Sequence, residues 1–314
     1  MSSKPLCVVN PRSGGGRTGQ VLGDLRATIE RALGEVDVAV TERPQHGIEL
    51  AERGVSEGRS LIIAVGGDGT FSEIVDGVMR SGGAGACHVA LIGQGTGGDF
   101  RKTLGIEHRL DRYLEAIASG RTRTVDVGKA AFRDTARQDG SRIERYFVNI
   151  LSAGMGGLVD QYVATGSRAL GPTAAYFVAS TKALLRARAG QLVCHVDGLA
   201  VPVRLRSYMI AICNGQYFGS GMHVAPMAKV DDGVFEVVSM DAPSKLAFAA
   251  FSQKIYKGDH LRSEHVRHFS CKRITVELEN EDARDRFLLD VDGEPIGGLP
   301  LAIEVVPGAI TLRG

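Results

Sequence analysis

Three glycine-rich segments place hydroxyl, amide and carboxylate side chains directly after short apolar runs. The segments are Asn10-Pro11-Arg12-Ser13-Gly14-Gly15-Gly16, Gly66-Gly67-Asp68-Gly69-Thr70 and Gly93-Gln94-Gly95-Thr96-Gly97-Gly98-Asp99. Glycine lets backbone N–H groups close around an anion, and a following helix adds its positive N-terminal dipole, so each segment is typical of a phosphate-binding loop. One such segment alone is as well explained by a tight turn. Three together favour a polyphosphate site.

Asp68 is the carboxylate with the most specific setting. It stands between glycines of the second segment, where it would repel a bound phosphate unless a cation lay between them. Mg²⁺, which binds one or two carboxylates together with phosphate oxygens, would satisfy both charges. The alternative is that Asp68 caps the helix that follows. Asp99 in the third segment has the same two interpretations.

A second pair of carboxylates, Asp292 and Glu294, flanks Gly293 near the C-terminus. Residues two apart in extended backbone share a face, so the two groups would lie side by side. One would orient the site or bind a cation while the other accepts a proton from an attacking hydroxyl. The alternative is a polar hairpin turn, for which Asp-Gly is a common dipeptide. Asp231-Asp232-Gly233 is likewise either a cation-binding loop or a solvated turn.

Two known nucleotide motifs match the first segment in part. Gly14, Gly16 and Gly19 fit a dinucleotide-binding fingerprint, but a lone match is weak and such a fold would not need two later glycine-rich segments. The same stretch begins like a P-loop, yet Gln20-Val21 stands where that motif requires lysine and a hydroxyl residue. The P-loop interpretation is therefore excluded.

Length and composition bound the class of protein. The chain has 314 residues, which predicts one large domain or two of medium size. Its 37 basic and 36 acidic residues give a net charge of +1, which argues against a broad nucleic-acid or anionic-membrane footprint but leaves room for a local basic patch. Apolar runs of about six residues fall far short of the roughly twenty that span a bilayer, so we expect a soluble protein. Five scattered cysteines predict reduced, buried thiols and a cytoplasmic location.

Apolar periodicity predicts alternating strands and helices over the first 130 residues. Strands are expected at 6–9, 36–40, 61–65 and 89–92, and helices at 21–33, 48–55, 71–78 and 110–117. Such alternation is typical of a parallel sheet covered on both faces. Ligands bind such sheets beyond the carboxyl ends of the strands, where the three glycine-rich segments fall.

Beyond about residue 126 the pattern changes to successive strands, which predicts a mainly antiparallel second domain. Strands are expected at 145–151, 191–196, 201–213, 234–240, 273–279 and 286–291, with helices at 171–189 and 244–256. The join is expected at 120–145, where 133–145 is polar. Two apolar stretches flanked by basic residues, 176–185 and 245–251, would suit a membrane interface, although such faces more often pack on a core.

Taken in order, the motifs resemble the diacylglycerol kinase catalytic domain family, which includes bacterial lipid kinases, sphingosine kinases and ceramide kinases. The resemblance extends over nearly the whole chain and adds these motifs to the three segments: Thr41-x4-His46-Gly47, Asn149-x4-Gly154, Asn214-Gly215, Asp231-Asp232-Gly233, Tyr256-x-Gly258-x-His260-Leu261 and Asp292-Gly293-Glu294. It implies an α/β N-terminal nucleotide-binding domain, as in NAD kinases and diacylglycerol kinases, and a mainly antiparallel C-terminal β-sandwich domain. The implied ranges are 1–128 for ATP and 129–299 for lipid, with about residues 300–314 returning to the first domain.

The resemblance also assigns roles to individual residues. It makes Glu294 the general base, with Asp68 and Asp292 as the other catalytic carboxylates. It places a structural Mg²⁺ on Asp232 and the backbone carbonyls of Lys229 and Val234. It matches Asp126 to an aspartate near the active-site cleft. The ATP contacts it implies are Asn10, Pro11, Arg12, Ser13, Gly14, Thr41, Gly66, Gly67, Asp68, Gly69, Thr70, Phe71, Ser72 and Thr96.

The implied activity is an ATP- and Mg²⁺-dependent lipid kinase, most simply one that converts diacylglycerol to phosphatidic acid. The implied partners are this lipid acceptor and a transiently contacted membrane surface, and the resemblance leaves room for a homodimer. One departure concerns the third loop, where the family has Asn-Asp-Phe-Ala-Arg and this chain has Gly98-Asp99-Phe100-Arg101-Lys102. Two alternatives stay open, an NAD kinase-like enzyme and a non-catalytic nucleotide- or lipid-binding regulator.

Overall fold

The computed structural model describes residues 4–95, 97–137, 139–166 and 172–314. Over these residues the strands are β1 Leu6–Val9, β2 Asp37–Val40, β3 Leu61–Gly66, β4 His88–Gly93, β5 Thr122–Arg133, β6 Arg142–Phe147, β7 Ile150–Gly154, β8 Gly190–Val196, β9 Val203–Ser207, β10 Met209–Cys213, β11 Tyr217–Phe218, β12 Met222–His223, β13 Phe235–Met240, β14 Val266–Cys271, β15 Arg273–Leu278, β16 Leu288–Val291 and β17 Glu294–Arg313. The α-helices are α1 Arg17–Gln20, α2 Leu22–Leu33, α3 His46–Ser56, α4 Asp68–Arg80, α5 Asp99–Thr103, α6 Leu110–Ala118, α7 Met155–Thr165, α8 Pro172–Arg186 and α9 Lys245–Ile255. Short 3-10 helices cover Ser13–Gly16, Asp259–Arg262 and Glu281–Arg286.

The N-terminal half is a parallel sheet with strand order β2-β1-β3-β4. All side chains of β1 and β3 are buried, as expected for strands covered by helices on both faces. The helices bury apolar stripes on this sheet, for example Phe71, Ile74 and Val78 of α4. The strands and helices predicted over the first 130 residues are therefore confirmed to within a few residues at each end.

The C-terminal half is mainly antiparallel, and strands β7, β10, β13 and β14 lie side by side in it. Two predicted strands are wrong, because 145–151 is divided into β6 and β7, and 201–213 into β9 and β10. The first division occurs because the N–H groups of Val148 and Asn149 donate to the carboxylate of Asp292 instead of a partner strand. The second occurs at Tyr208, where the chain passes from pairing with β8 to pairing with β7 and β13.

Two long strands connect the halves of the molecule. Strand β5 runs without interruption through residue 128, so the chain crosses from one half to the other inside a strand. Strand β17 pairs antiparallel with β16, β15 and β5, and its end joins the parallel sheet through the pairs Thr311–His88 and Leu312–Val89. The halves are therefore hydrogen-bonded into one sheet.

Two expectations drawn from composition concern the state of the cysteines and the absence of a membrane-spanning segment. Cys7, Cys87, Cys194, Cys213 and Cys271 are buried free thiols. No helix in the described ranges has the length and apolar character needed to cross a membrane.

Candidate active site between two cavities

The three glycine-rich segments meet at the carboxyl edge of the parallel sheet, as their positions after β1, β3 and β4 predict. Asn10 N donates to Val65 O at 3.0 Å, and Asn10 Nδ2 donates to Thr70 Oγ1 at 3.2 Å. Gln94 N donates to Gly66 O at 2.7 Å, which joins the second and third segments. The segments are therefore locked to one another before any ligand binds.

Glycine is required where the second and third segments cross. A Cβ atom on Gly95 would lie 2.9 Å from the Cα atom of Gly67, closer than side-chain carbons approach backbone. Because both residues lack a side chain, the two backbones come together and leave their N–H groups near the sheet edge. A close backbone approach at this edge is what a phosphate cradle needs.

A polar cavity of about 280 Å³ opens between the first two segments. Seven of the predicted ATP-contact residues line it, together with Glu42, Arg43, Pro44, Glu73 and Glu294. The seven are Asn10, Arg12, Ser13, Thr41, Gly67, Gly69 and Thr70. Backbone N–H groups, hydroxyls and the guanidinium groups of Arg12 and Arg43 suit a polyphosphate anion.

A second cavity, of about 720 Å³, lies beside the first and is mainly apolar. Helices α7, α8 and α9 each contribute to its walls, and strand β10 contributes Met209. Its apolar lining consists of Ile150, Met155, Val159, Leu184, Met209, Phe218, Met222, Phe248, Ala249, Ile255 and Tyr256. Its acidic lining consists of Asp68, Asp99, Asp160, Asp290 and Asp292. Gly69 lines both cavities, so the two adjoin at the start of α4.

The segment Asp292-Gly293-Glu294 connects β16 to β17 and separates the cavities. Val291 pairs with Glu294, so Asp292 and Gly293 form a two-residue hairpin turn with φ angles of 50° and 89°. The hairpin alternative is thus correct as local geometry, yet the residues also reach the cavities. Asp292 and Gly293 line the apolar cavity, while Glu294 lines the polar one.

Asp292 is held in place by backbone donors. Its carboxylate accepts hydrogen bonds from Val148 N at 2.9 Å, Asn149 N at 3.0 Å and Ile150 N at 2.9 Å. Ser72 hydrogen-bonds the same carboxylate. Burial raises the pKa of Asp292, and these donors partly oppose that rise. With its oxygens occupied in this way, Asp292 fixes the turn that carries Glu294.

Glu294 has the environment of a group that titrates near neutral pH. Burial raises its pKa to about 7, against the lowering effect of Arg145 and with the nearby Glu73 and Asp292 raising it further. Arg145 Nη2 lies 2.7 Å from Glu294 Oε2. A carboxylate whose pKa is near the working pH is suited to accept a proton from a hydroxyl.

Asp68 and Asp99 link the second and third segments. Asp68 accepts hydrogen bonds from Asp99 N at 2.8 Å and Phe100 N at 3.3 Å, so it caps α5 and not the helix that it begins. Asp99 in turn accepts from Ser220 N and from Lys102 Nζ, each at 2.8 Å. Burial and then the charge of Asp99 raise the pKa of Asp68, so negative charge is concentrated here.

The loop that carries the predicted structural metal residues Lys229, Asp232 and Val234 is hydrogen-bonded to Asp126. Gly233 N donates to Asp126 Oδ2 at 2.7 Å, and Asp126 N donates to Val230 O at 2.6 Å. Asp232 is exposed, accepts from Val234 N at 3.3 Å, and has a pKa raised by partial burial and by Asp126. In the described ranges no group of three His, Cys, Asp or Glu side chains could hold a metal ion. A cation at this loop would depend on Asp232, backbone oxygens and water.

Some predicted ATP contacts lie elsewhere in the structure. Phe71 is fully buried and stacked on Phe100, with 5.3 Å between ring centroids, because it belongs to the apolar stripe of α4. Ser72 hydrogen-bonds the carboxylate of Asp292. Pro11, Gly14 and Gly66 belong to the glycine-rich segments but do not line the polar cavity. Thr96 lies outside the described residues.

Sequence reasoning missed four side chains of the site, Glu73, Arg145, Asp160 and Asp290. Asp160 and Asp290 hydrogen-bond each other at the acidic end of the apolar cavity. Burial raises the pKa of Asp160 to about 7, and burial and Asp160 raise that of Asp290 well above its usual range. Glu73 follows Thr70 by one helical turn on α4, which could have signalled a shared face. The other three gave no local signal.

An α/β half with glycine-rich strand ends, joined to an antiparallel half across a shared cleft, is the fold class of diacylglycerol kinases and NAD kinases. A diacylglycerol kinase crystal structure from Bacillus anthracis str. Sterne superposes with a TM-score of 0.68 at 21% identity, over 99% of this chain and 96% of that one. Yeast NADH kinase complexed with NADH superposes with a TM-score of 0.53 at 12% identity, over 99% and 83%. These similarities establish the fold.

The family follows from sequence models. The diacylglycerol kinase catalytic domain matches residues 4–130, and the YegS C-terminal NAD kinase beta sandwich-like domain matches residues 149–314. A diacylglycerol kinase of Staphylococcus aureus is 25% identical over 301 residues, which are 96% of this chain and 89% of that protein. The chain belongs to the diacylglycerol kinase family, and its relatives are kinases.

Proposed function

We propose that this protein is an ATP- and Mg²⁺-dependent lipid kinase that transfers the γ-phosphate of ATP to a lipid hydroxyl. Diacylglycerol is the simplest acceptor, with phosphatidic acid as the product. The observation that carries the proposal is the pair of adjoining cavities, one polar and one apolar, with the turn of Asp292-Gly293-Glu294 between them. Such an arrangement suits a charged donor on one side and a lipid on the other.

In this proposal Glu294 is the general base of a direct transfer. The O–H bond of the acceptor breaks and its proton passes to Glu294, while the acceptor oxygen forms a bond to the γ-phosphorus. The bond from that phosphorus to the β–γ bridging oxygen breaks and leaves ADP. Most of the acceleration comes from positioning and charge neutralisation, which the glycine-rich segments and the Arg12 and Arg43 guanidinium groups supply.

Mg²⁺ would be held by Asp68 and Asp99 together with phosphate oxygens. Burial, and then the charge of Asp99, raise the pKa of Asp68, which supports this placement because a cation would compensate the buried negative charge. When bound, Mg²⁺ neutralises charge on the transferring phosphoryl group. A second, structural Mg²⁺ would use Asp232 and the backbone carbonyls of Lys229 and Val234, beside the buried Asp126.

The apolar lining supports a lipid acceptor over a nicotinamide dinucleotide. Thioether, aliphatic and aromatic side chains dominate the walls of the 720 Å³ cavity, where an acyl chain would bury its methylene groups. A dinucleotide would place a second pyrophosphate and two riboses near five aspartates. The alternative of a non-catalytic regulator is tested by whether the protein transfers phosphate from ATP to any acceptor.

The lipid would enter from a membrane surface at the outer end of the cavity. We define the apolar rim as Val178, Leu185, Leu246 and Tyr256, whose exposed fractions are 44%, 70%, 81% and 46%. They belong to α8 and α9 or follow α9 directly, and Lys245 Nζ donates to Leu185 O at 2.5 Å. The exposed cations Lys182, Arg186, Lys254 and Lys257 lie on the same two segments. Apolar and basic groups together suit an anionic bilayer.

The homodimer expected from the family resemblance stays a prediction.

The test is Mg²⁺-dependent transfer of labelled γ-phosphate from ATP to a panel of acceptors. The panel contains diacylglycerol, monoacylglycerol, phosphatidylglycerol, ceramide, sphingosine and NAD. We expect a labelled lipid, and we expect Glu294→Gln to lower its formation by about 10²–10⁴-fold while ATP affinity is retained.

Three outcomes would contradict parts of the proposal. Labelled NAD without labelled lipid would establish the NAD kinase alternative. ATP binding without any labelled product would favour a regulator. Full activity of Glu294→Gln on a lipid would retain the activity and remove Glu294 as the base.

A further inference from the structure

Two side chains outside the recognised motifs contact the carboxyl group of Glu294 from different elements. Arg145 of β6 contacts Oε2 through Nη2 at 2.7 Å, and Glu73 of α4 hydrogen-bonds the same carboxyl group. Arg145 is only 4% exposed, so it is a buried cation that needs anionic partners. Glu294 therefore lies between a positive and a negative group.

Arg145 is anchored independently of Glu294. Its Nη1 lies 3.3 Å from Asp76 Oδ2. Asp76, which is 1% exposed, also accepts hydrogen bonds from Tyr146 N at 3.0 Å and from Arg80 Nε at 2.9 Å. The Nη1 side of the guanidinium group is thus held by Asp76 of α4, and its Nη2 nitrogen contacts Glu294.

Glu73 is anchored on the opposite side. Its two carboxylate oxygens accept hydrogen bonds from Gln45 N at 2.9 Å and Gly47 N at 2.8 Å, at the start of α3. These two donors hold the side chain of Glu73 in place beside the start of α3.

The charged groups near Glu294 oppose one another. Arg145 lowers its pKa, while Glu73 and Asp292 raise it. Arg12, Glu42 and Arg43 also line the polar cavity that Glu294 faces. Removal of Arg145 would therefore raise the pKa of Glu294, whereas removal of Glu73 would lower it.

We propose that Arg145 and Glu73 are positioning residues that hold the Glu294 carboxyl group from two sides and, by their opposite charges, determine the pH above which it accepts the proton of the acceptor hydroxyl. This inference rests on the proposed function, because it takes Glu294 to be the base. Neither residue contacts the reacting atoms in this arrangement.

The test compares Arg145→Met, Arg145→Lys and Glu73→Gln with the unchanged enzyme. The titration of the Glu294 carboxyl is followed by carbon-13 NMR, with the signal assigned by its loss in Glu294→Gln. We expect a midpoint near pH 7 in the unchanged enzyme. Arg145→Met should raise this midpoint by about one pH unit, because a positive charge is lost, and Glu73→Gln should lower it by about one. Arg145→Lys keeps the charge, so its midpoint should lie between those of Arg145→Met and the unchanged enzyme. The acid limb of kcat/KM should move with each midpoint.

Lys129→Met is the matched control. Lys129 pairs with Tyr146 on the neighbouring strand and contacts Glu144 at 3.7 Å, so its loss removes one positive charge next to Arg145 without touching Glu294. The inference fails if the Arg145→Met and Glu73→Gln midpoints move in the same direction, or by no more than Lys129→Met moves them. Opposite shifts without phosphorylation of any acceptor would retain the positioning pair and refute the proposed function. Thermal unfolding of each variant verifies that it is folded.

Discussion

Asp68 and Asp292 each serve the fold and the site through the same carboxylate. Asp68 caps α5 through two backbone N–H groups, and Asp292 receives three such donors from the start of β7 and the residues before it. Because backbone donors do not rotate away, both carboxylates are held in place before a ligand binds. Burial at the same time raises the pKa of both. A side chain can therefore cap an element and still belong to a site.

In the third loop, Gly98 stands where the family resemblance leads us to expect asparagine, and it lies against the side chain of Arg101. Gly98 has a φ of 60°, and a Cβ atom there would lie 2.6 Å from Arg101 Nε. Asparagine tolerates this φ, so the obstacle to the family residue is the Arg101 side chain. That side chain is itself held by Nη1, which donates to Ile106 O at 3.2 Å.

We predict that Gly98→Asn lowers the free energy of unfolding by about 1 kcal/mol, because Arg101 must leave its partner. Arg101→Ala removes the obstacle, so the double variant should be about 1 kcal/mol more stable than the sum of the single effects implies. Urea unfolding of all four proteins measures this coupling. Strictly additive effects would show that the two positions are independent.

At the scale of elements, β17 connects the candidate base to the nucleotide half. Glu294 is its first residue, and its last residues pair with β4 in the parallel sheet. Ile310 and Leu312 near its end are each 1% exposed and belong to the N-terminal core. The position of Glu294 relative to the glycine-rich segments thus depends on a strand that both halves share.

We predict that Leu312→Ala lowers the free energy of unfolding by about 2–5 kcal/mol, because it leaves a cavity under the parallel sheet. Thr311→Ala, one residue away on the partly exposed face, should cost less than about 1 kcal/mol. Urea unfolding monitored separately by nucleotide binding and by circular dichroism makes the comparison. Equal effects of the two substitutions would mean that the end of β17 is not part of the core.

At the scale of the whole molecule, the apolar rim adjoins the apolar cavity at Tyr256, which belongs to both. Leu184 and Tyr256 line the cavity, while Leu185 and Leu246 are exposed beside it. A lipid passing from a bilayer into such a cavity would stay in contact with apolar side chains. The basic residues of α8 and of the segment after α9 would meet anionic headgroups.

We predict that Leu246→Glu lowers binding to phosphatidylglycerol-containing vesicles by about tenfold, because it replaces an inserted apolar side chain with a charge. Leu199→Glu is the matched control, since Leu199 is 55% exposed in the turn between β8 and β9. Vesicle sedimentation measures both variants, and activity on a detergent-dispersed acceptor should be unchanged in each. Equal vesicle binding by the two variants would exclude the rim as a membrane contact.

The sequence by itself determined which loops gather at the sheet edge and which elements carry them. Apolar periodicity reports burial of strands and helices in the first 130 residues, and the carboxyl ends of parallel strands necessarily share one edge. The Asp-Gly turn before Glu294 was equally visible, because turn dipeptides act over two residues. Family resemblance then assigned roles to these positions, and those roles remain predictions.

The tertiary structure alone decided what surrounds the candidate base. Arg145 and Glu294 are 149 residues apart, and no local pattern links a guanidinium in one strand to a carboxylate in another. The same holds for the hydrogen-bonded Asp160 and Asp290, and for the division of 145–151 into two strands by a carboxylate more than a hundred residues away. Charge, burial and pKa depend on distances between elements, which only packing determines.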